Sequence, residues 1–408
     1  MIKSILKGFL YLLLLLILVE LLIYFTVPIY DFSPSQPFSG NQIYNPYQGM
    51  DSTHWKKTNF HFHLKAWGGL TSGRGNTGEL FWNTYKKLGF NMSCVSDYQK
   101  INTFNKDSVF YIPAYEHGFG VRKKHQILIG AKEVLWLDYS LFQNINHKQH
   151  ILNLLRPFSE IVAIAHPDWE SGYSATDLKH LSNYDLMEVL DENWRSVPLW
   201  DAALSSGHPV FILADDDAHD IKNPYQIGRC CTFINSATMQ SSDLIHSLKS
   251  GKAFGAEIYM STGETFEEKS QRAREVPALN SVVVRNDTLH VNVSAKAIEF
   301  VFIGQDGKTR KISRLGREAW YKIIPEDTYI RTEIRFFNHD GGPGTIFYLN
   351  PVFRYNGGIP SNTLKAEINW PRTWIFRFFS IPSLFLLVFL WWRQKKKKRL
   401  TKKTTDGF

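Results

Sequence analysis

The sequence predicts an α/β domain of mainly parallel strands, open or closed into a barrel, followed by a small antiparallel sandwich and flanked by two membrane-spanning helices. Three observations carry this. Short apolar runs alternate with amphipathic segments from residue 59 to about 255. Runs of period two then fill residues 280–353. Long, nearly uncharged apolar stretches occupy residues 8–29 and 374–392.

The first apolar stretch, 8–29, is broken only by Glu20 and preceded by Lys3 and Lys7. As a helix it is about 33 Å long, enough for a hydrocarbon core of ~30 Å. No small-residue cleavage site follows, so it reads as an anchor rather than a removed signal. The stretch 374–392 ends in Trp391 and Trp392, suited to a membrane interface, and runs into a basic tail at 393–408. Its length also suits a helix lying on the surface. Read as a span, its tail stays cytoplasmic, as does the N-terminus, and the residues between the two helices are extracytoplasmic.

Most of the net charge of +9 belongs to that tail. The rest is near neutral, and nothing in it calls for a nucleic-acid partner. Cys94, Cys230 and Cys231 are too few for a disulfide framework.

Residues 30–55, rich in Pro, Ser, Gly, Asn and Tyr, read as a linker. Residues 56–260 form the main domain. Its strands are predicted at 59–64, 90–97, 109–116, 125–131, 161–166, 185–190 and 209–215, with helices at 78–89, 148–158 and 198–207. At 280–353 alternating runs such as LHVNVSA and YIRTEIRFF, separated by Asp-Gly and Gly-Gly, predict the sandwich.

Chemistry-bearing side chains recur at the ends of the predicted strands. His61 and His63 end the first, Asp97 the second and Glu116 the third; His125 opens the fourth and His166 ends the fifth. Asp217 and His219 follow the seventh. Two histidines one residue apart on a strand share a face. Loops from several strands converge at their carboxyl ends in parallel α/β folds. Imidazoles and carboxylates gathered there suit divalent cations, which take mixed N and O ligands. Arg122, Lys123 and Lys124 lie between Glu116 and His125, either to grip phosphate or as a solvated basic turn.

The segments HFH, GFNMSCVSDY, IPAYEHG, HQILIG, VAIAHP and ADDDAHD, in that order, resemble the polymerase and histidinol phosphatase (PHP) superfamily over roughly residues 59–255. The resemblance implies a distorted (β/α)7 barrel and phosphoester hydrolysis by metal-activated hydroxide. By matching motif, His61, His63, Glu116 and Asp217 hold one metal, and Glu116 bridges to a second completed by His125 and His166. Two departures stand out. Tyr98 occupies a position where the family carries histidine, and Thr71-Ser72-Gly73 replaces an acidic or histidine-bearing turn. Only His219 then remains of a third site, so two divalent ions, zinc, manganese or iron, are expected. His219 is left as the catalytic candidate to protonate the leaving oxygen or hold the phosphate, and Asp97 to orient a ligand or its loop. The expected substrate is a phosphorylated small molecule or a lipid-linked phosphate. A metal-dependent amide or ester hydrolase, and a scaffold that binds without turnover, are the alternatives.

Overall fold

The computed structural model describes residues 2–358, 360 and 364–405. The chain divides into two units: residues 32–365, and the terminal segments 1–31 with 366–408.

In the terminal unit, helices Ile2–Thr26 and Trp370–Thr405 contain segments, Ile5–Thr26 and Trp370–Lys396, long and apolar enough to cross a membrane. They meet through Phe25 and Phe376, whose rings stand edge to face at 6.1 Å. The first helix stops at Thr26, short of the expected 29, because Pro28 disfavours helical backbone at Val27. The second begins at Trp370 and continues through the basic tail; residues 406–408 lie outside the described residues.

The expected linker is not loose. Strand Gln42–Tyr44 pairs with Val352–Tyr355, Phe38 stacks on Phe353 at 4.4 Å, and the buried Tyr47 hydroxyl donates to the Ala253 carbonyl. Buried aromatic rings outweigh the turn-rich composition here.

Two sheets build the central unit. A five-stranded sheet runs Ala114–His117, Gln126–Ala131, Ser159–Ile164, Leu186–Leu190, Phe211–Ala214. Its last three strands are parallel, but the first two join antiparallel. The connection from His117 to Gln126 is too short for a parallel crossover, which needs about a dozen residues. The second sheet has eleven strands, among them Trp55–Asn59, Met92–Ser93, Cys230–Asn235 and Ala253–Glu257.

Two expectations are corrected by this topology. The segment 280–353 is not a free-standing sandwich. Strand Ala253–Glu257 pairs directly with Pro343–Leu349, and Tyr329–Phe337, Thr288–Gly304 and Leu279–Arg285 extend the same sheet. One core holds both parts, with Phe62, Tyr85, Phe254, Phe300 and Phe347 in a single buried cluster. Nor do continuous ladders close a barrel among the described residues. The two sheets approach each other through isolated bridges, Phe62 with Ala218 and Tyr98 with Glu116.

Predicted helices appear at Gly78–Lys87, Ile145–Leu155 and Val197–Ser205. Thr77 and Asn144 cap the first two by accepting backbone N–H groups. The third is tied to strand Tyr329–Phe337 by a buried ion group. The Arg331 guanidinium donates to Asp201 at 2.7 Å and to Glu333 at 2.7 Å.

Candidate metal centre

The isolated bridges place the functional side chains. Beyond strand Trp55–Asn59 the chain stays extended: the Asp217 N–H donates to the His61 carbonyl, and the His63 N–H to the Ala218 carbonyl. Alternation then sends Phe62 into the core against Phe81, at 4.5 Å, and turns His61 and His63 together towards Asp217. At the second bridge, the Gln99 N–H donates to the Glu116 carbonyl. Glu116 turns into the cluster. His117 points away, bonded through its ring to Gln126 and the Leu137 carbonyl.

Four atoms converge. His61 Nε2 lies 3.2 Å from Glu116 Oε2 and 3.1 Å from Asp217 Oδ1. His63 Nε2 lies 2.9 Å and 3.2 Å from the same oxygens, and 3.2 Å from His61 Nε2. A tetrahedron of such edges has its centre about 1.9 Å from each corner, close to the ~2.0–2.2 Å that zinc keeps to nitrogen and oxygen. All four side chains are buried. Among the described residues Glu116 Oε2 and Asp217 Oδ1 have no hydrogen-bond partner: they face the imidazole nitrogens without hydrogen-bond alignment. Buried carboxylate oxygens in that state need a cation, so the donor set fits a divalent metal.

The other oxygen of Glu116 serves a second set. Oε1 lies 2.5 Å from His125 Nδ1 and 3.1 Å from His166 Nε2. Three side chains make this set, which suits a metal with a position left for water or substrate. Gly118 makes room for it, since a Cβ there would lie 2.5 Å from the His125 ring, at a φ of +126°. His166 and Asp217 hold left-handed backbone, with φ of 25° and 48°. Such conformations cost ~1–3 kcal/mol each and gather at functional sites.

Burial alone would raise the Glu116 carboxyl, but the imidazoles of His125 and His61 hold it well below the usual carboxylate range. For His61 burial works downwards, and Asp217, Glu188 and Glu116 more than reverse it, holding the imidazole well above its ordinary value. His166, raised against burial chiefly by Glu116, sits at about 8.

The structure brings His61, His63, Glu116, His125, His166 and Asp217 together as two sets sharing Glu116. His219 stands beside them, its ring 4.4 Å from that of His63 and its Nδ1 3.8 Å from Asp217 Oδ1. Asp97 does not join. Its carboxylate accepts from the Lys65 N–H and the Asn102 amide, bracing two loops behind the cluster.

Glu188 was missed in the sequence. Fully buried on strand Leu186–Leu190, it accepts from His61 Nδ1 at 2.9 Å and from the His166 N–H at 2.8 Å. It thereby fixes the tautomer of one cluster imidazole and the backbone of another. The only signal was an acid inside the apolar run LMEVL. His63 has no such support: its Nδ1 lacks a partner. Tyr98 stacks on its ring at 4.2 Å, and Trp67 stacks on Tyr98 at 5.3 Å. The phenol that replaces the expected imidazole is thus a wall of the site. The triple acid 215–217 divides by direction: Asp215 accepts from the Phe60 N–H, Asp216 from the N–H groups of residues 228–230, and Asp217 faces the cluster.

No family model and no curated protein matches this sequence. One solved structure aligns over 77% of this chain and 99% of its own, with a TM-score of 0.41 and 13% identity. It is a two-domain protein from Bacteroides vulgatus containing a predicted PHP-like metal-dependent phosphoesterase.

Proposed function

We propose that this chain is a membrane-anchored, metal-dependent phosphoesterase whose two-cation centre is built on Glu116. The observation that carries the reading is the pair of buried ligand sets sharing that carboxylate. Bound there, two divalent ions supply polarisation of a phosphoryl oxygen and a water acidic enough to ionise near neutral pH.

The chain's own residues divide the remaining work. Glu116 would offer one carboxylate oxygen to each cation. The His61–His63–Glu116–Asp217 set would give a metal four side-chain ligands, whereas the Glu116–His125–His166 set would give three and leave a coordination position for water or substrate. His219 Nδ1 lies 2.9 Å from the Asp217 carbonyl, which only accepts, so the proton sits on Nδ1 and Nε2 carries a lone pair. His219 is therefore assigned to accept a proton or hydrogen bond from water or substrate, rather than to protonate the leaving oxygen. Asp97 holds loops in place. The choice of a phosphoester over an amide or carboxylic ester rests on the motif resemblance. The basic tail supports cytoplasmic termini and an extracytoplasmic centre.

Metal content and a substrate panel test this on the purified full chain. Near two equivalents of zinc, manganese or iron are expected, with phosphoester turnover that His61→Ala abolishes. The same metals with a preference for amides or carboxylic esters would replace the reading by the other hydrolase. Absence of both metal and turnover would leave a scaffold.

A further inference from the structure

The loop 118–124 starts and ends at the metal centre: Gly118 abuts the His125 ring, and His125 follows Lys124. Its backbone is pinned to a neighbouring loop, the Phe119 N–H donating to Asp138 at 2.9 Å and the Val121 N–H to the Ser140 carbonyl at 2.8 Å. Held this way, the two loops turn large apolar side chains outwards. Phe119 is 41% exposed, Val121 67%, and Trp136 on the neighbouring loop 66%. The same central unit buries Phe60, Phe62 and Trp200 completely, while Phe119, Val121 and Trp136 stay exposed on two loops joined beside the centre.

Cations accompany them. Arg122 is exposed, and the Lys123 ammonium lies 4.9 Å from the centre of the Trp169 ring. Trp169 stands edge-on to His166, also at 4.9 Å. One short loop therefore offers a positive charge near the three-residue ligand set and apolar side chains to the outside.

We propose that this rim contacts the bilayer, and that the substrate is the phosphoester of a membrane amphiphile, its phosphate drawn towards Lys123 and the Glu116–His125–His166 set. Aromatic and aliphatic side chains flanked by Arg and Lys are the composition that settles at the headgroup boundary of anionic lipid. The same chain carries two helices of membrane-crossing length. The substrate half rests on the phosphoesterase reading; the bilayer contact does not.

The test uses the full chain reconstituted into phosphatidylcholine vesicles with or without phosphatidylglycerol. Val121→Cys is labelled with bimane; native Cys94, Cys230 and Cys231 are buried and do not compete. Blue-shifted emission quenched by brominated lipid, more strongly with phosphatidylglycerol, is expected. Water-like, unquenched emission in both vesicles overturns the contact. A Val121→Ser/Trp136→Ser variant is then assayed on phosphatidic acid in the bilayer and on p-nitrophenyl phosphate in water. A loss of at least ~10-fold on the lipid alone is expected, and equal effects on both substrates overturn the substrate half. A quenched label with no turnover of either substrate by the unmutated chain upholds the contact and removes the phosphoesterase reading.

Discussion

His61 Nε2 and His63 Nε2 lie 3.2 Å apart, in a cluster where neither ring is exposed to solvent. Alternation of an extended backbone brings them side by side, and both nitrogens also face Glu116 and Asp217. Without metal, protons supply the positive charge that this meeting of acceptors requires: His61 is held well above its ordinary value and His166 at about 8.

Metal has to displace those protons. Affinity is therefore expected to climb as pH rises through about 8 and to fall below it, approaching tenfold per pH unit for each proton released. Calorimetric titration at pH 6.5 and 8.5, in buffers of different ionisation heat, counts the protons. Affinity that does not change with pH would contradict protonated imidazoles in the metal-free cluster.

Glu188 makes the next prediction. Because it orients His61 through Nδ1 and fixes the His166 backbone, Glu188→Gln should fold yet bind metal ~10–100-fold more weakly. A competition assay with a chromophoric chelator reads this directly. Unchanged affinity would reduce Glu188 to a buried acid with no bearing on the metal.

Tyr98 is expected to act chiefly through its ring face, because His63 is held by stacking and not by a hydrogen bond at Nδ1, with the Tyr98 hydroxyl towards Glu116 as a lesser contact. Tyr98→Phe should keep metal affinity within a few-fold, while Tyr98→Ala should lower it about tenfold or more, on the scale of a lost ligand support. If Phe proves as damaging as Ala, the hydroxyl rather than the stack is what matters.

These residues show how much of the site could be read from the chain. His61, His63, Glu116, His125, His166 and Asp217 were legible because each sits at a strand end beside recognisable apolar runs, and pairs two apart share a face. Glu188 was not, because an acid within an apolar strand carries no sign of what its carboxylate meets. Asp97 was expected to orient a ligand or its loop; its partners Lys65 and Asn102 are set by backbone paths that periodicity does not describe. The alternation at 280–353 marked most of its strands but not Lys308–Lys322, whose largely exposed polar residues show no apolar face, and it split Thr288–Gly304 into two runs. Alternation cannot tell which edge a strand joins, and the pairing of Phe254 with Leu349 merges a predicted second domain with the first.

That merger makes Arg331 a test of stability. Its guanidinium is 2% exposed and lies between Asp201 and Glu333. Arg331→Leu leaves buried Asp201 without its cation and Glu333 with only the more exposed Arg335, and should cost ~3–5 kcal/mol. Adding Asp201→Asn should recover part of the loss, because a neutral amide is cheaper to bury than an unpaired carboxylate. Denaturant unfolding of the single and double variants measures both; additive losses would show that the pair is not coupled.

A second source of acid sensitivity lies away from the metal centre. His208 packs on Tyr184 at 4.2 Å and lies 3.1 Å from the Tyr184 carbonyl, and burial pushes its imidazole down to about 3. The folded value lies below the unfolded one, so the unfolded chain takes up the proton first. Its contribution is therefore complete above about pH 6.5 and is lost progressively towards pH 3, at ~1.4 kcal/mol per pH unit. His147, lowered by burial to about 4, acts in the same direction over a narrower window. His208→Gln should be less stable than the unmutated chain at pH 8, but its stability should fall less steeply between pH 6.5 and 4. Unfolding free energies at four pH values across that window give the two slopes, and parallel slopes would show that His208 is not the group being titrated.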